Sequence, residues 1–243
     1  VGAGKSTLLF HLLERIGPEL RLGLVSNAQG NRGELLHWVL QALGLAPEAE
    51  ESYVRLFGRF QDFLIAEYAA GRRVVLVFDE AQNLDRDTLE ELRMLTNINS
   101  GGNELLQLVL VGQPELRALI RQPSLRQFAQ RVASSVHLPA MDAGMVDAYL
   151  HHRLQLAGAR DRIFAPDAAA LVAEITGGVP RLVNQLADLA MLYAYTRERR
   201  VVDRATVQQV LDDGAFFGVR SFEGEAEESA VLTLPPANRL RTE

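Results

Sequence analysis

The first seven residues constrain this chain more than any others. Val1-Gly2-Ala3-Gly4-Lys5-Ser6-Thr7 reproduces the last part of the pattern G-x-x-x-x-G-K-[ST]. Glycines at this spacing let backbone N–H groups converge on an anion, and the helix that follows turns its positive end towards the same place. Leu8, Leu9, Leu12, Leu13 and Ile16 recur at helical spacing up to Gly17-Pro18, so a helix is expected where the pattern needs one. The first glycine of the pattern would stand two residues before Val1. We therefore expect an N-terminal truncation of a longer protein, without the strand that leads into such a loop. Of the 25 basic residues, Lys5 is the only lysine. A chain that uses arginine everywhere else has kept lysine where arginine would not serve.

A second constellation supports the first. Val74-Val75-Leu76-Val77-Phe78 is a continuous apolar run of the kind buried on both faces of a parallel sheet, and Asp79-Glu80 follows it at once. Ligands of such sheets bind at the carboxyl ends of the strands. The two motifs together describe a nucleoside triphosphate site. Gly2, Ala3 and Gly4 supply the backbone cradle and Lys5 reaches the β- and γ-phosphates. Ser6 takes a magnesium position, with Asp79 holding the ion through water, and Thr7 lies near the α-phosphate. Glu80 is suited to orient and activate the attacking water. Leu105 to Val111 reads as another buried strand, and Gln113 beyond it is either a water-positioning residue or a turn residue before Pro114. Asp79-Glu80-Ala81-Gln82 also spells a DExx helicase signature, but such a motor needs a second domain that 243 residues with a helical end do not hold.

Around these motifs the expected class is α/β. Leu22 to Val25 reads as a strand, helical patterns span about 31–43, 52–70 and 86–98, and Ser100-Gly101-Gly102-Asn103 marks a turn. Val132 to Leu138 alternates weakly, as an edge strand does. From Asp142 onward only helical periods remain, at about 142–157, 166–176, 180–197 and 203–213. The division expected is a nucleotide-binding core over 1–140, a helical lid over 141–218 and a flexible acidic tail over 219–243, where Pro235-Pro236 and several glutamates stand. His151 and His152 are adjacent on one helix and point to different sides, so they read as surface residues.

Composition then narrows the class. Without cysteine there is no disulfide, thiolate metal site or cysteine nucleophile. A net charge of −6 gives no general nucleic-acid footprint, and no run of about 18 apolar residues is present to cross a membrane.

The landmarks V-G-A-G-K-S-T-L-L at 1–9, V-F-D-E-A-Q-N-L at 77–84, L-V-L-V-G-Q-P-E-L at 108–116 and G-G-V-P-R-L-V-N at 177–184 resemble the AAA+ ATPases of the general secretion pathway protein A (ExeA) type, in particular those at PEP-CTERM/exosortase loci. The resemblance implies a five-stranded parallel sheet, of which this chain would keep four strands, with the nucleotide between sheet and lid. It makes Gln113 the sensor-1 residue and Arg181 the sensor-2 arginine. Arg131 becomes the arginine finger acting on a neighbouring subunit, with Arg126 as the alternative. It further implies ATP with Mg2+, a homo-oligomer, a cytoplasmic place with peripheral attachment to the inner membrane left open, and envelope secretion or polysaccharide-export proteins as partners. The want of a peptidoglycan-binding domain after the core favours the exosortase branch. Two rivals share the core motifs: a DNA-associated ATPase of the transposition-helper or origin-recognition kind, disfavoured by the acidic charge, and a nucleotide-gated scaffold, disfavoured by Glu80.

Overall fold

A computed structural model describes residues 2–26, 34–46, 51–100, 102–218 and 229–233. They fall into two compact units, one of residues 5–138 with 229–233, the other of residues 2–4 with 139–218.

The larger unit opens with α1 (Lys5–Leu13), β1 (Leu20–Ser26), α2 (Leu35–Ala42), α3 (Tyr53–Ala69) and β2 (Arg73–Asp79). A single 3-10 turn, Ala81–Asn83, leads into α4 (Arg86–Leu95). A short antiparallel hairpin of β3 (Asn99–Ser100) and β4 (Asn103–Glu104) then precedes β5 (Leu106–Val111). After α5 (Pro114–Ile120) and α6 (Arg126–Ala129) comes β6 (Ser134–Leu138), and β7 (Ser229–Thr233) completes the sheet in the order β1-β2-β5-β7-β6. The run read as a doubly buried strand behaves as one. Val74, Leu76 and Phe78 enter the main core with leucines of α2, α3 and α4. Val75 and Val77 pack on the opposite face with Leu9 of α1, Val109 and Val111. This is the period-2 alternation of a strand covered on both sides. β1, β2 and β5 pair in parallel, with Phe78 opposite Val25 and Leu110, so their carboxyl ends lie at one edge.

Two departures from the sequence expectations concern the ends. The first helix stops at Leu13, and Leu8 and Leu12, placed on its apolar stripe, are about half exposed while Leu9 alone is buried in the core. Five residues of the segment read as a flexible tail form β7, antiparallel to both β5 and β6, while the rest of 219–243 lies outside the described residues. Since β5 and β6 both oppose β7, they run in the same direction on either side of it. Ser-Ala-Val-Leu-Thr is a strand-compatible stretch too short to register within an acidic, proline-containing segment. The expected helix over 31–43 is observed from Leu35, and residues 31–33 are not described.

The smaller unit is all-helical apart from an isolated bridge, Phe164 to Val202. It comprises α7 (Ala143–Leu156), α8 (Pro166–Thr176), α9 (Pro180–Thr196) and α10 (Arg204–Asp212). Their buried faces meet through Val146, Leu150, Val172, Val183, Leu186 and Val207. Asp142 and Asp203 cap α7 and α10, accepting from the N–H groups of Met145 and Thr206 at 2.7 and 2.8 Å. No helix among the described residues is long and apolar enough to cross a membrane.

Candidate active site

At the carboxyl edge of the larger unit, four of the expected residues meet. Ser6, in the first turn of α1, donates its hydroxyl to Asp79 Oδ2 at 3.0 Å, joining two positions 73 residues apart. Asp79 ends β2, and its Oδ1 accepts the Glu80 N–H at 2.9 Å. Lys5 is buried at 6% exposure, an unusual place for a lysine that has no anion to meet. Glu80 stands at φ 54°, ψ 37°, a left-handed backbone for a residue with a Cβ. Such a conformation costs about 1–2 kcal/mol and is held by its surroundings.

That backbone starts the 3-10 turn, and the turn brings Gln82 back onto Glu80. Gln82 Nε2 donates to Glu80 Oε2 at 2.6 Å. Gln113, two residues beyond β5, donates its Nε2 to the same oxygen at 3.2 Å. The hydrogen bond from Gln82 does most to hold the Glu80 carboxyl below the usual carboxylate range; Gln113 and the Lys5 charge act the same way, against partial burial. Glu80 is therefore ionised at neutral pH. Gln82 is the member of this cluster that sequence reasoning missed. It was visible only as a letter of a helicase signature, and no spacing rule predicts a contact that depends on a left-handed residue two positions earlier.

In the smaller unit, Gly2 and Gly4 take φ of 87° and 86°, with Ala3 between them outside the left-handed region. Left-handed glycines alternating with ordinary backbone are the kind of arrangement that can turn successive N–H groups towards one anion. A Cβ on Gly2 would stand 2.6 Å from the Arg181 Cβ, and the Arg181 N–H donates to the Gly2 carbonyl at 3.3 Å. Arg181 thus adjoins the glycine part of the loop, with an exposed side chain.

Arg131 and Arg126 are not brought to Glu80. Arg131 donates to Thr96 Oγ1 at 3.3 Å and to Asn97 Oδ1, just past the end of α4. α4 starts at the carboxyl edge and runs back, and β5 begins at Leu106, level with Val74 at the start of β2. Arg131 therefore lies at the amino edge, a strand length of roughly 20 Å from Glu80, beside a cavity of about 460 Å³ that Phe128 and Leu106 also line. Thr7 is exposed.

A family model described as an AAA domain matches residues 1–120. The chain is 40% identical over 197 residues to general secretion pathway protein A of Aeromonas hydrophila, which covers 81% of this chain and 36% of that protein. The chain belongs to the AAA+ ATPases. Among solved structures, this AAA+ chain is similar to the ORC2 protein of Aeropyrum pernix in its ADPNP-ADP complexes, with a TM-score of 0.64 and 19% identity over 88% of this chain and 59% of that one. It is also similar to Cdc6p of Pyrobaculum aerophilum, with a TM-score of 0.62 and 20% identity over 83% and 55% of the two chains. At these identities the likeness speaks for the P-loop fold alone. The chain spans about a third of the secretion relative and under two thirds of either solved chain. The family supports nucleotide hydrolysis.

Proposed function

We propose that the chain hydrolyses ATP in the presence of Mg2+, and that the energy serves assembly or export of envelope components. The observation that carries the chemistry is the meeting of Ser6, Asp79, Glu80 and Gln113 at one sheet edge. The Ser6 hydroxyl and Asp79 carboxylate form an oxygen pair of the kind Mg2+ takes together with phosphate oxygens and water. Bound there, the ion would neutralise charge on the β- and γ-phosphates. Lys5 and the backbone N–H groups of Gly2, Ala3, Gly4 and Thr7 hold the phosphates. Glu80 accepts a proton from water; the oxygen of that water bonds to the γ-phosphorus while the bond to the β,γ-bridging oxygen breaks, and ADP and phosphate leave. Gln113 helps to fix the carboxylate during this step. Arg181, through its tie to Gly2, is assigned as the arginine of the helical unit that answers the nucleotide.

The place of Arg131 supports a role in trans. At the amino edge it is on the wrong side of its own sheet to meet its own γ-phosphate, so as a finger it would serve another copy, in a homo-oligomer. Arg126, the first residue of α6, is the alternative.

The envelope role rests on the similarity to a secretion protein, with the exosortase branch as its narrower form. Two measurements test the proposal. Phosphate release from ATP should stop when Mg2+ is chelated and return when it is restored; turnover that persists in chelator contradicts the metal assignment. Capture with the intact protein should recover envelope export proteins, and recovery of DNA with a transposase would instead establish the nucleic-acid reading.

A further inference from the structure

Gln82 uses both ends of its side-chain amide. Its Nε2 donates to Glu80 Oε2 at 2.6 Å, while its Oε1 accepts the backbone N–H of Gln113 at 3.0 Å. The amide cannot be turned over: the reversed form would set an oxygen against the carboxylate and an NH2 against an N–H. Gly112 leaves the room for it, since a Cβ there would lie 3.0 Å from Gln82 Oε1 and 2.8 Å from a Leu116 methyl carbon. Gln113 Nε2 reaches the same Glu80 Oε2 at 3.2 Å. Both side-chain donors thus converge on one carboxylate oxygen, and among the described residues no hydrogen-bond donor reaches the other, Oε1.

We propose that Gln82 is a positioning residue for hydrolysis. It ties the Glu80 carboxylate through Oε2 to the tip of β5 and leaves Oε1 as the oxygen that accepts the proton of the attacking water. This rests on Glu80 being the base, and it adds a link that the base alone does not supply. The strained left-handed backbone of Glu80 sets the carboxylate near the edge, and Gln82 fixes its rotation. Because the other end of the amide holds the Gln113 N–H, a displacement at the β5 tip moves the base with it.

Steady-state and single-turnover ATPase measurements on Gln82→Leu, Gln82→Glu, Glu80→Gln and the double variant Glu80→Gln/Gln82→Leu test the link. Gln82→Leu should lower kcat by about tenfold or more and leave KM for ATP within about twofold. Gln82→Glu keeps an acceptor for the Gln113 N–H and loses the donor to Glu80. The second carboxylate it sets against Glu80 Oε2 should lower kcat at least as far and move the pH profile of kcat upward, a readout that lost packing alone would not shift. Where Glu80 is already glutamine, adding Gln82→Leu should cost nothing further, because its effect runs through the carboxylate. Parental kcat in Gln82→Glu, or equal losses from Gln82→Leu with and without Glu80, would overturn the role of Gln82 and leave the base standing. Parental turnover in Glu80→Gln would overturn the base assignment itself, and the proposal with it.

Discussion

At Gly2 two independent demands fall on one residue. The backbone is left-handed at φ 87°, and Arg181 Cβ occupies the space a side chain would need. An alanine there meets a conformational cost of about 1–2 kcal/mol before any clash is counted. Gly2→Ala should accordingly weaken ATP binding and lower the melting temperature of the intact protein; titration calorimetry and thermal unfolding report the two effects, and a variant that binds ATP as the parent does would show that the loop tolerates another backbone. At this scale most of the larger unit's site was legible. Lys5, Ser6, Asp79, Glu80 and Gln113 are residue types with a stated chemistry at the ends of recognisable elements, and the structure groups Ser6 with Asp79 and Gln113 with Glu80. Gln82 was not legible, because its contact follows from one backbone angle at Glu80 that no composition or period encodes.

Elements are held by periodic burial inside and by caps at their ends, and the caps make a measurable prediction. Asp203 caps α10: it accepts from both the N–H and the hydroxyl of Thr206, at 2.8 and 2.7 Å. These bonds, foremost the one from the Thr206 hydroxyl, hold its carboxyl below the usual aspartate range, with the Arg199 charge assisting against partial desolvation. A carboxyl whose pKa is lower folded than unfolded contributes stability above its unfolded value, near 3.9, and loses it as pH falls through the folded value. Asp203→Ala should cost about 1 kcal/mol at neutral pH. The difference from the parent should shrink as pH falls below the ordinary aspartate range. Denaturant melts at neutral and acid pH check this, and a difference independent of pH would mean that the charge of the cap is irrelevant. β2 and β5 were readable because burial on both faces leaves an unbroken apolar run. α5 and α6 went unread, since seven and four residues are too short to show a helical period. β7 went unread because pairing partners, not its own pattern, make it a strand.

For the whole molecule, the separation of Arg131 from Glu80 across the sheet turns a sequence expectation into a statement about assembly. If Arg131 completes a neighbour's site, activity per subunit should rise with protein concentration. Arg131→Ala should lower turnover, by a factor on the order of 10³ to 10⁵ for a full finger role, and leave ATP binding nearly intact. Mixing Glu80→Gln subunits, which keep Arg131, with Arg131→Ala subunits, which keep the base, should restore part of the rate. Activity independent of concentration, with no rescue, would make Arg131 a surface arginine bound to Thr96 and Asn97 and nothing more. Beneath assembly lies the claim that this edge of the sheet hydrolyses ATP with Glu80 as its base. Bound nucleotide and phosphate release measured together on Glu80→Gln, with Lys5→Ala as the binding control, test it most directly. We predict that Lys5→Ala loses ATP affinity, whereas Glu80→Gln binds ATP as the parent does and turns it over about 10² to 10⁴ times more slowly; a Glu80→Gln protein that releases phosphate at the parental rate would contradict the account.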